Sequence, residues 1–243
     1  MTTTTPISPV TLTGELAPQL SRWLWLVKWI LVIPHLVVLF FLTIAALFTT
    51  IIAGFAILFT GRYPRSLFDF SVGVLRWSWR VAFYSYSALA VDKYPPFSLD
   101  KTDYPADFDV AYPEKLMNGL VLVKWWLLAI PHYLVLALIV GSSYEWSQRT
   151  NPPADQRLAD IGTWGSAMGV GSTPGLLAIL VLIAAVILLF TARYPQPLFD
   201  FVMGLNRWVH RVYAYVFLLT DAYPPFRLDQ GGSEPSAIAG AKA

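Results

Sequence analysis

One stretch constrains this chain more than any other: from Trp23 to Thr60 the only charged residue is Lys28. Wound at ~1.5 Å per residue it would run roughly 57 Å, nearly twice the ~30 Å hydrocarbon core of a bilayer. Two more apolar runs, Met117–Val140 and Leu176–Ala192, approach the length of a single crossing. Covering such segments in water takes polar chain that is not there. Hydrophobic residues make up 56% and charged residues 13%, against roughly 25% charged in an average soluble domain. The same balance excludes disorder. The expectation is an all-α integral membrane protein.

The chain is also written twice. FTGRYPRSLFDFSVGVLRWSWRVAFY at Phe59–Tyr84 matches FTARYPQPLFDFVMGLNRWVHRVYAY at Phe190–Tyr215 at fifteen of 26 positions without a gap. DKYPPFSLD (Asp92–Asp100) returns as DAYPPFRLD (Asp221–Asp229), and LVKWILVIPH (Leu26–His35) as LVKWWLLAIPH (Leu122–His132), one residue longer. Such self-similarity means a repeated structural unit. From Pro34 to Arg62 is 28 residues, but from Pro131 to Arg193 is 62, so the second copy carries a polar insertion of 34 within 141–175.

That insertion splits the second apolar region, and by analogy the first should divide at a tight turn near Phe41–Thr43. The expected organisation is therefore an N-terminal cytoplasmic segment (1–21), repeat 1 (22–100), a linker (101–115), repeat 2 (116–229) and a flexible tail (230–243). Each repeat is expected to be a transmembrane helical hairpin plus an in-plane amphipathic helix. The spans fall near 22–41 and 43–60, then 117–140 and 176–192, with an extracytoplasmic loop at 141–175. The interfacial helices are 66–90 and 197–220. A narrow polar stripe runs along each: Asp69, Gly73, Arg76, Arg80 and Ser87 in the first, Asp200, Gly204, Arg207 and Arg211 in the second. The alternative, a third span per repeat, puts Arg residues in mid-bilayer at ~2.5–3.5 kcal/mol each and moves basic loops outside. Four spans with cytoplasmic termini are preferred.

Short alternating segments, Val10–Glu15, Phe97–Leu99, Phe108–Ala111 and Phe226–Leu228, predict a small cytoplasmic β-sheet. The N-terminus lacks a basic region and a short apolar core, so no cleaved signal peptide is expected. With no cysteine, disulfides and thiolate chemistry are excluded. A net charge of +2, with aromatics in apolar runs, argues against nucleic acid.

The runs WLVKWILVIPH, FTGRYPRSLFDFSVGVLRW and YPPFSLD resemble the bacterial membrane family known as domain of unknown function 4389, over roughly 20–100 and 115–229. The resemblance implies a bacterial inner-membrane protein with the domain in tandem. It implies no activity and carries over no catalytic residue.

Two readings of the Arg stripe stand side by side. Arg76, Arg80, Arg207 and Arg211, flanked by Trp77 and Trp208, sit one helical turn apart and suit anionic lipid headgroups or a partner's carboxylates. Alternatively they pair with Asp69 and Asp200 and anchor the helix. His35 and His132 follow a proline inside the first span of each copy. They are read as polar groups within the membrane, bonding backbone freed by the proline, or as a haem, metal or proton-relay pair. Asp107 and Asp109 form a DxD too common to argue from, and GVGSTPG at 169–175 lacks the Lys-Ser/Thr of a phosphate loop. The small residues Ala45, Ala46, Gly54, Ala184 and Ala185 permit close helix packing.

No catalytic residue, metal or cofactor is expected. The functional expectation is a non-catalytic multi-pass protein, a scaffold or accessory subunit that binds membrane lipids and a partner membrane protein. The alternative is a small transporter or channel between the repeats, with a lipid-modifying enzyme behind both.

Overall fold

The computed structural model describes residues 8–142 and 173–232. It is mostly helical, with a small two-stranded sheet. Strand β1 (Val10–Gly14) precedes α1 (Leu24–Leu31), α2 (Ile33–Thr60) and α3 (Arg65–Tyr84) of the first copy. Strand β2 (Ala106–Val110) lies in the linker. The second copy follows as α4 (Asn118–Leu128), α5 (Ile130–Val140), a ladder of β3 (Gly141–Ser142) with β4 (Thr173–Pro174), α6 (Leu176–Thr191) and α7 (Gln196–Val216).

The expected turn near Phe41–Thr43 is not formed: α2 runs unbroken for 28 residues. Neither Gly nor Pro falls between Leu36 and Ala53 to stop it. Helices α5 and α6 correspond to its two ends, and both pack on α7 as α2 packs on α3. The insertion leaves the α5–α6 junction through β3 and returns through β4, with Gly141 opposite Pro174. It interrupts one helix and does not report a hairpin in the other copy. The predicted helix at 153–161 and the loop tryptophans Trp146 and Trp164 lie outside the described residues, as does most of the 230–243 tail.

The real break comes earlier in each copy, at Val32 and Ala129, two residues before Pro34 and Pro131. A proline ring displaces the carbonyl four residues back and supplies no N–H, so the helix bends there. Between α4 and α5 the bend is 45°. The one extra residue of LVKWWLLAIPH is absorbed as a π-helical turn at Lys124–Leu128.

Each long helix then ends on a left-handed residue. Gly61 takes φ 68° after α2, and Ala192, its counterpart, takes φ 56° after α6. Glycine adopts this conformation freely and alanine at a cost. Ala192→Gly is expected to stabilise the protein by about 1 kcal/mol, read as a higher denaturation midpoint in detergent.

Three layers result. Helices α3 and α7 form the middle one and are buried on nearly every side. Most of their length is covered by protein on both faces, so neither presents a continuous open face along its length. On one side lie α2, α5 and α6, whose far faces are bare. Only 17% of the apolar window of α2 is buried, and Phe41, Phe48, Phe55 and Phe59 are each more than 60% exposed. On the other side lie the sheet and the two YPPFxLD segments. Strand β1 pairs antiparallel with β2, Leu12 opposite Phe108. Strand β2 packs on α3, whereas β1 packs on α7 of the other copy. Phe97–Leu99 and Phe226–Leu228 are not strands. By length and composition α2 alone among the described residues is clearly able to cross a membrane, the bent α4–α5 pair passing the same test if it acts as one span.

Candidate functional site

The three repeated blocks, far apart in each copy's sequence, converge in space. In the first copy Lys28 is 1% exposed. Its Nζ lies 2.8 Å from Asp92 Oδ1, donates to the Val91 carbonyl at 2.6 Å and sits 4.9 Å above the Tyr84 ring. The other oxygen of Asp92 accepts the Ser21 N–H at 2.6 Å. The second copy repeats this: Lys124 Nζ is 2.7 Å from Asp221 and 4.9 Å above Tyr215, while Asp221 accepts the Met117 N–H at 2.7 Å. Each aspartate thus ties the end of its third helix to the start of its first.

About two turns along, each histidine enters an aromatic cage. His35 Nδ1 accepts the Trp77 indole N–H at 3.1 Å, its ring stacks on Phe97 at 3.9 Å, and Tyr94 leans on it at 4.9 Å. His132 accepts from Trp208 at 3.3 Å, stacks on Phe226 at 4.4 Å and meets Tyr223 at 4.8 Å. An Nδ1 that accepts places the ring proton on Nε2. Both Nε2 atoms are buried without a partner among the described residues. The tryptophans expected to face headgroups are spent here: Trp77 is buried and Trp208 half-buried.

The Arg stripes do not reach for headgroups either. Arg76 donates to the carbonyls of Phe108 at 2.9 Å and Leu99 at 3.1 Å, and pairs with Asp109 at 3.0 Å and Asp107 at 3.1 Å. Arg80 is fully buried and donates to the carbonyls of Ser98 at 3.3 Å and Asp100 at 2.8 Å. Burial pulls its guanidinium below the ordinary arginine value, with Asp107 opposing the shift. Arg207 donates to the Leu12 carbonyl at 3.0 Å and the Asp229 carbonyl at 2.5 Å, and Arg211 meets the Asp229 carboxylate at 2.6 Å. The four side chains pin the FxLD segments and the sheet to the middle helices. This is why those segments are not strands: their carbonyls turn to guanidiniums.

Asp69 and Asp200 do not join them. Asp69 pairs with Arg65 at 3.0 Å, both more than half exposed, and Asp200 accepts from Gln196 at 2.9 Å. Each sits at the start of its helix, away from the buried stripe. The DxD of Asp107 and Asp109 is spent on Arg76, Arg80 and Lys101.

The sequence reading overlooked Lys28, Lys124, Asp92, Asp221 and Asp229. Their signal was available: each lies inside a repeated block, as the K of LVKW or a D flanking YPPFxLD. Buried basic and acidic residues repeated in register are natural partners. Among the described residues no group of three or more His, Asp or Glu is placed to hold a metal ion.

No curated protein and no solved structure matches the chain. The family described as a domain of unknown function (DUF4389) matches residues 22–98 and 170–227. The first match holds the Lys–Asp pair, the cage and both arginines of copy one, but ends before most of the groups those arginines hold; the second begins inside the insertion and leaves α4 and α5 outside. The shared core is therefore the long helix, the helix packed on it and the YPPF run that follows, and this chain belongs to the DUF4389 family, with two copies of the domain in tandem.

Proposed function

We propose that the chain is a non-catalytic membrane module of the bacterial inner membrane, a scaffold or accessory subunit that seats in lipid and holds a partner membrane protein. The observation that carries the reading is the bare outer layer. A core helix of a soluble protein is covered, whereas α2 is covered over 17% of its apolar window, and α5 and α6 expose Leu134, Leu138, Ile183 and Phe190 beside it. An apolar face that large marks a membrane or an obligate partner. The opposite face carries Asp103, Lys93 and Lys101, all exposed. The lipid contact runs through this apolar face and not through the Arg stripe, whose side chains are engaged inside the fold.

The absence of cysteine makes the test direct. Single-cysteine variants Phe41→Cys, Phe55→Cys and Asp103→Cys are treated with a polar maleimide in opened native membranes. Asp103→Cys should react within minutes, and the two outer-layer variants only after detergent dissolves the bilayer. Equal reactivity at Phe55→Cys and Asp103→Cys in intact bilayer would remove the membrane reading. The partner is sought by affinity capture from mild detergent, and repeated recovery of the chain alone against a matched control defeats the subunit reading.

A further inference from the structure

Where the two copies meet they leave two clefts, related by the repeat. One, of about 600 Å³, lies between α2 and α4. The other, of about 380 Å³, lies between α1 and α6 with α7 as its floor. Their walls correspond: Trp125 with Trp29, Gly54 with Ala185, Leu218 with Leu89. Their floors do not. The α2–α4 cleft is apolar throughout except Thr50, whose hydroxyl is bonded to the Ala46 carbonyl.

The α1–α6 cleft gathers Ser87, Asn206 and His210, all more than 90% buried. Asn206 and His210 stand where the first copy carries Leu75 and Trp79. The copies thus diverge at two positions that converge on this cavity. Asn206 spans the copies, donating to the Ser87 carbonyl at 3.0 Å and accepting the Ser87 hydroxyl. Its own carbonyl takes the His210 Nδ1 proton at 2.8 Å, which makes His210 Nε2 an acceptor with no donor among the described residues. Burial pulls this imidazole down to about 4, so the ring is neutral at physiological pH. On the opposite wall the Trp25 indole N–H is buried with no acceptor among the described residues. An unfilled donor and an unfilled acceptor thus line one apolar cavity, and among the described residues no charged side chain does. That cavity has the size of a small-ligand site, with few polar groups in apolar walls.

We propose that the α1–α6 cleft binds a single-chain lipid with an uncharged hydroxyl-bearing head, of the acylglycerol class. A hydroxyl donates to His210 Nε2 while an oxygen of the same head accepts from Trp25. The acyl chain leaves past Trp29 and Leu182, both about half or more exposed on the outer layer. An anionic head finds no cation among the described residues there. The site rests on the membrane reading above, because the chain of the lipid must run out into hydrocarbon.

The test is photolabelling of the full chain in nanodiscs with a monoacylglycerol that carries a diazirine near its head, followed by peptide mapping. The expected result is label on the peptides holding Trp25 and Tyr213, about tenfold above the peptide holding Trp125 in the twin cleft. Trp25→Phe keeps the ring and removes the N–H, and should lower that labelling several-fold. His210→Trp, which installs the residue its twin carries, should abolish the preference. Excess unlabelled monoacylglycerol should compete and oleate should not.

Equal label in both clefts, label unchanged by Trp25→Phe, or competition by oleate as strong as by monoacylglycerol would each overturn the site. Trp25→Phe decides should His210→Trp fail to fold. Label on the outer face of α2 without preference for the polar cleft sinks this inference alone. Absence of label from both α2 and the clefts sinks the membrane reading with it.

Discussion

Asp92→Ala is expected to cost about 3–5 kcal/mol of folding stability, the usual loss when one partner of a buried ion pair is removed. Lys28 Nζ would keep only the Val91 carbonyl and the face of Tyr84, with an ammonium stranded in the interior. The Ser21 N–H would lose its acceptor as well. Asp221→Ala should behave alike, because Lys124, Tyr215 and the Met117 N–H stand in the same places. The diagnostic is the double variant. Lys28→Met with Asp92→Ala removes the unpaired charge and should recover more than half of the loss, since a well-packed apolar pair often equals a buried ion pair. Denaturation midpoints in a fixed detergent measure both. A single variant within 1 kcal/mol of wild type would mean that water reaches Lys28.

Arg76→Leu should be comparably severe, at about 3–5 kcal/mol. One guanidinium serves two carbonyls and two carboxylates. Its loss leaves Asp107 and Asp109 near each other with only Lys101 and Arg80 to offset them. Arg76→Lys should recover only part of this, because a point charge on a flexible stem cannot fork to several acceptors. Hydrogen exchange should localise the damage, with amides of β2 and of 98–100 exchanging faster while those of α2 hold. Binding to anionic liposomes should keep its salt dependence. A variant that folds normally but loses such binding would return the stripe to the membrane surface.

These two sites also show where reading the sequence succeeded and where it stopped. Duplication was legible from identity alone, and it correctly paired Arg76 with Arg207, Trp77 with Trp208 and His35 with His132. Strands β1 and β2 were legible from alternation, though not which of four short segments would pair. The partners of the Arg stripe were not legible. Asp69 and Asp200 share its helical face, so local periodicity nominated them. The actual partners, Asp107, Asp109 and Asp229, come from 18 to 33 residues away, a distance at which only tertiary packing chooses.

The hairpin misreading has a similar cause. A polar insertion shows that a helix can be interrupted, not that its uninterrupted twin turns, and α2 has nothing in its sequence to stop it until Gly61. The burial of α3 and α7 was half legible: the apolar circumference was evident, but a narrow charged stripe suggested an interface. The stripe is narrow because it meets a thin layer of sheet and loop.

That sheet draws its two strands from different places. Leu12, ahead of the first copy, receives Arg207 of the second, while Phe108, between the copies, receives Arg76 of the first. The second half is not self-sufficient: cut the chain after β2 and Arg207 loses the carbonyl of Leu12. A protein built from a single copy would meet this need by pairing with itself, two chains exchanging their leading arms across a dyad. Tandem duplication makes that exchange intramolecular, and it leaves each half free to acquire chemistry that the other lacks.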